Sequence, residues 1–62
     1  MEYELPKDPI ILLGMINMKL RDFYNNMDAL CDDLELDFES INATLIKAGF
    51  VYDAKTNQYH PL

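Results

Sequence analysis

The apolar positions of this chain keep a helical period as far as Gly49 and an alternating one beyond it. At about 100° per residue, Leu12, Leu13, Ile16, Leu20, Phe23 and Tyr24 fall on one broad face. Asp8 before Pro9 is a strong helix start, since the Asp side chain accepts from free backbone N–H groups and proline suits the first helical position. The spacing predicts a helix from Pro9 to about Tyr24. Ile11, Met15 and Met18 lie nearly opposite the core face, so the same helix carries a second apolar stripe. Something must cover that stripe, whether the N-terminal arm with Tyr3 and Leu5, another chain or a ligand.

Asn25-Asn26 supplies a loop and a cap, after which Met27, Leu30, Cys31 and Leu34 repeat at i, i+3, i+4 and i+7. The next cap is Asp37, with Leu36 before it placed to staple against Ile41, and a third helix is expected to carry Phe38, Ile41, Leu45 and Ala48 inward. Gly49 suits the left-handed residue that ends a helix. From Phe50 the pattern alternates: Phe50 and Tyr52 share a face, Tyr59 pairs back across a turn at Asp53-Ala54-Lys55-Thr56-Asn57, and Asn57 tolerates a left-handed backbone. The expected fold is mainly α, a three-helix, helix-turn-helix-like bundle with a C-terminal β-hairpin, in effect a miniature winged helix. It forms a single domain over residues 1–62, with an arm at 1–7, helices within 8–49 and the hairpin at 50–62.

Charge changes this picture. The stretch from Asn26 to Gly49 holds six carboxylates against one lysine, and the whole chain has a net charge of −6. A helix-turn-helix suggests DNA, whereas so acidic a surface repels phosphate. Asp32 and Asp33 stand at a helix C-terminus, where the dipole opposes them, and Lys19 or Arg21 is the expected compensation. Half the residues are apolar, which favours a folded domain over a disordered one. The longest apolar run, Ile10 to Leu13, is far short of the roughly 20 residues of a membrane span, and the acidic N-terminus does not resemble a signal peptide. A soluble, cytoplasmic protein is expected.

Leu5-Pro6-Lys7-Asp8-Pro9, Asn17, Lys19-Leu20-Arg21-Asp22, Tyr24, Leu30-Cys31-Asp32-Asp33-Leu34, Gly49, Tyr52 and Asn57-Gln58 follow one another in an order that resembles the small bacterial family known as domain of unknown function 4250. The resemblance covers nearly the whole chain and implies a bacterial origin. It brings no activity and no functional residue with it. Met27 to Ala48 resembles a helix-turn-helix by pattern, with Cys31 as the small residue at the crossing. Glu35 departs from that pattern, standing where glycine usually allows the left-handed turn.

Little in the chain points to catalysis. Its one Ser, one Cys and one His, at Ser40, Cys31 and His60, fall on different elements. Cys31 lies on the buried stripe and behaves there as a small hydrophobe, and one His with one Cys does not make a zinc site. Asp33, Glu35, Asp37 and Glu39 alternate like calcium ligands, but Phe38 and Thr44 stand where an EF-hand needs glycine and glutamate. No catalytic, cofactor or metal residue is assigned, and the chain is read as non-enzymatic. The expected function is a protein–protein interaction module, a homodimer or a complex with another protein, through Ile11, Met15 and Met18. The alternative is a winged-helix DNA-binding regulator using Asn42 and Lys47, helped by Lys7, Lys19 and Arg21, though the charge makes nucleic acid a poor partner.

Overall fold

The computed structural model describes residues 5–62 and orders them as α1 (Pro9–Asp22), α2 (Met27–Leu34), α3 (Phe38–Lys47), β1 (Phe50–Asp53) and β2 (Gln58–Pro61). Each helix start follows from a side-chain cap: the oxygen of Asp8 accepts from the Ile10 N–H, that of Asn26 from Ala29, and that of Asp37 from Glu39. The ends differ. Gly49 takes a φ of +99° after α3, as its place in the sequence suggests, whereas α2 ends on Glu35 at φ 55°, ψ 47°. There the Leu36 N–H reaches the Cys31 carbonyl at 2.8 Å and the Glu35 N–H reaches that of Asp32 at 3.4 Å, a Schellman closure built without glycine.

The core is one cluster of Leu12, Ile16, Leu20, Met27, Leu30, Cys31, Ile41, Leu45 and Tyr59. Leu5 packs partly against it, while Tyr3 lies outside the described residues. The strands pair antiparallel with Tyr52 opposite Tyr59, their rings 5.4 Å apart, and the hairpin lies against α1 and α3. Asn57 closes the turn at φ 56°, and the Asp53 carboxylate accepts from the Lys55 N–H at 2.9 Å.

Three inward assignments fail. Phe23 is 69% exposed because α1 stops at Asp22 and the backbone turns away at φ −128°. Its ring lies instead under the Lys19 ammonium, at 6.0 Å. Phe38 and Ala48 are exposed because they stand at the two ends of α3, beyond the central turns where Ile41 and Leu45 are buried. The compensation expected from Arg21 is also redirected. Its guanidinium forms a bidentate pair with Asp22 at 2.9 and 3.0 Å, and Asp33 accepts the Tyr24 hydroxyl instead.

Candidate functional site

Two groups of residues stand out, one holding the hairpin and one facing outward. The first centres on Asn17, a polar residue within the apolar arc of α1. Its side-chain oxygen accepts from the Tyr59 N–H at 2.7 Å and its amide donates to the Tyr59 carbonyl at 3.1 Å, so one side chain stands in for a neighbouring strand. Asn57 does similar work at the end of α1. Its amide donates to the carbonyls of Leu20 (3.0 Å) and Tyr24 (2.9 Å), and its oxygen accepts the Tyr52 hydroxyl at 2.6 Å. The Leu20 carbonyl is among the last four of the helix and so lacks an intrahelical partner. Gln58 adds a bond to the Asn17 carbonyl at 2.9 Å. Most of these residues also carry the family resemblance, and here their amides are consumed by backbone.

Tyr59 completes the group. The residue is 2% exposed and its hydroxyl donates to Asn42 at 2.9 Å. Burial, with smaller effects from Cys31 and Tyr52, pushes its pKa up to about 12. Burial also pushes the Cys31 thiol up, with Asp28 and Asp37 acting in the same direction, so the sulfur stays a thiol and a poor nucleophile. The Arg21 pair is fully at the surface; hydrogen bonding to Asp22 raises the guanidinium and lowers the carboxyl. His60 is exposed in β2, with Nε2 2.7 Å from the Thr56 hydroxyl. Among the described residues no three His, Cys, Asp or Glu side chains are grouped as metal ligands.

The second group lies on the outer side of α1. Ile11 is 60% exposed and Met18 39%, while Met15 is half-buried and packs against the core. Ile10, absent from the expected stripe, is 59% exposed and extends it. Gly14 sits among these residues, exposed, and a Cβ added there would meet nothing within 4 Å. Spacing had marked Ile11, Met15 and Met18 as one stripe; how far each leans toward the core depends on neighbouring elements that helical spacing alone does not show.

The two residues of the nucleic-acid alternative are separated in role. Lys47 is exposed at the end of α3, whereas the Asn42 oxygen is held by the Tyr59 hydroxyl. Leu5, Pro6, Lys7, Leu12, Ser40, Ile41 and Thr44 line a shallow groove of about 250 Å³, and Asn26, Met27, Asp28, Phe38, Tyr52 and Ala54 line another of about 270 Å³. Among the described residues no helix is long and apolar enough to cross a membrane. No curated protein and no solved structure matches the chain. The model of the family described as Domain of unknown function (DUF4250) matches residues 6–59, and the chain belongs to that family.

Proposed function

We propose that this domain is a small, cytoplasmic, non-enzymatic interaction module that self-associates through the outer face of α1. The observation that carries this reading is the exposure of Ile10, Ile11 and Met18 on one side of a helix whose other side forms the core. Gly14 supports it. A glycine inside a helix costs about 1 kcal/mol relative to alanine, and at the centre of this face it lets a second backbone approach closely. Burying these three side chains from both copies amounts to on the order of 5 kcal/mol of apolar transfer, similar to the cost of association, so the dimer is a weak one.

Met15 is a poorer probe than Ile11 because it also packs on the core, and a charge there disturbs the fold itself. The test is an amide spectrum recorded at increasing protein concentration. Shifts confined to residues 10–18 of α1 and absent in Ile11→Glu are expected. Spectra that do not change with concentration, or change only in the hairpin, would oppose the reading.

The DNA-binding alternative has one observation in its favour, a helix pair joined through left-handed Glu35 and followed by a hairpin. The net charge of −6 weighs against it. Duplex binding at physiological salt that is lost in Lys47→Ala would favour this second reading.

A further inference from the structure

The two edges of the hairpin are finished differently. The Leu62 N–H donates to the Gly49 carbonyl at 2.9 Å, which fixes the alternation of the ladder. In the register Val51↔His60 and Asp53↔Gln58, those pairs bond across the hairpin, and the backbone groups of Tyr52, Tyr59, Phe50 and Pro61 point outward. On β2 the outward donors are dealt with. Asn17 takes both the N–H and the C=O of Tyr59, and Pro61 has no N–H. On β1, no hydrogen bond from another described residue reaches the outward N–H or C=O of Phe50 or Tyr52. An open edge of this kind is a template for another strand.

A groove lies beside that edge. Met27, Phe38, Tyr52 and Ala54 supply its apolar wall, Asn26 and Asp28 its polar part, and its 270 Å³ suits one or two side chains better than a drug-sized molecule. Tyr52 belongs both to the edge and to the groove. Asp53 follows it on the strand and points to the opposite face, because side chains alternate.

We propose that the β1 edge receives an extended basic peptide segment of another protein, which adds as a third strand. Its apolar side chains enter the groove of Met27, Phe38 and Tyr52, and its alternate lysines or arginines lie on the face of Asp53. Main-chain bonds supply affinity and the groove supplies selection. Charge complementarity selects a basic segment, since Asp53 lies on that face in a chain of net charge −6, whereas β1 paired with β1 would supply no cation beside it. The site is separate from the outer face of α1, so either can fail alone.

The test uses the whole isotope-labelled protein and a capped hexapeptide of alternating lysine and valine. Saturation is expected to move the amides of Phe50 and Tyr52 downfield and to slow exchange at Tyr52 by at least about tenfold. The same peptide with every backbone amide methylated, and a glutamate–valine analogue, are expected not to bind. Phe38→Ala, a substitution of a partly exposed residue, is expected to weaken the peptide several-fold while the remaining spectrum keeps its dispersion. Three results would overturn the proposal: a methylated peptide that binds equally well, a Tyr52 amide already protected in dilute protein, or a Tyr52 amide that shifts with protein concentration alone.

Discussion

Glu35 puts a side chain where the backbone favours none. Left-handed backbone costs an L-residue roughly 1–2 kcal/mol, and glycine occupies it freely. Glycine also loses more entropy on folding, so the net gain from Glu35→Gly is expected at about 0.5–1 kcal/mol, read as a higher urea midpoint with an unchanged slope. Glu35→Ala keeps the strain and is expected to gain nothing. Tyr59 gives a pH signature. Its pKa of about 12 in the folded chain lies above the roughly 10 of an unfolded tyrosine. The stability this group contributes is complete below about pH 10 and is lost as the unfolded chain ionises first between about pH 10 and pH 12. Cys31, also raised, adds a loss of the same sign from the lower pH at which an ordinary thiol ionises. Urea midpoints are expected to fall as pH rises through this window, and less steeply in Tyr59→Phe. That variant should also lose about 1 kcal/mol at neutral pH with its bond to Asn42.

At the scale of elements, the hairpin is held by amides at least as much as by its aromatic rings. Asn57 combines a left-handed backbone with bonds to two carbonyls at the end of α1, and Asn57→Gly separates the two contributions. Glycine keeps the turn, so the expected loss of about 2–3 kcal/mol reports the hydrogen bonds. Hydrogen exchange should show the strand amides opening before those of α2 and α3, and equal opening everywhere would count against this role. The elements themselves were legible because their signals are local: Asp8-Pro9, Asn26 and Asp37 start helices, Gly49 stops one, and alternation begins at Phe50. What the sequence left obscure depends on distant partners. Phe23, Phe38 and Ala48 have the right spacing for the core but sit where a helix ends, and spacing carries no information about that. Asn17 was marked by the family resemblance, yet its partner is 42 residues away. The left-handed turn at Glu35 forms without the glycine that its place usually carries, because the Schellman bonds hold a geometry that glutamate disfavours.

For the molecule as a whole, the residues behind the resemblance and the exposed apolar residues form separate sets. Asn17, Asn57 and Gln58 join hairpin to helix, while Ile10, Ile11 and Met18 are exposed on the other side of α1. A net charge of −6 opposes the meeting of two copies, so raising salt should tighten the association by screening, contrary to the behaviour of a nucleic-acid binder. Sedimentation equilibrium from micromolar to millimolar protein, on the natural chain and on Ile11→Glu, measures this directly. A reversible dimer in the natural chain, tighter at high salt and abolished by Ile11→Glu with the helical circular dichroism unchanged, is the expected result. A monomer throughout that range, or a dimer indifferent to Ile11→Glu, would contradict self-association through α1.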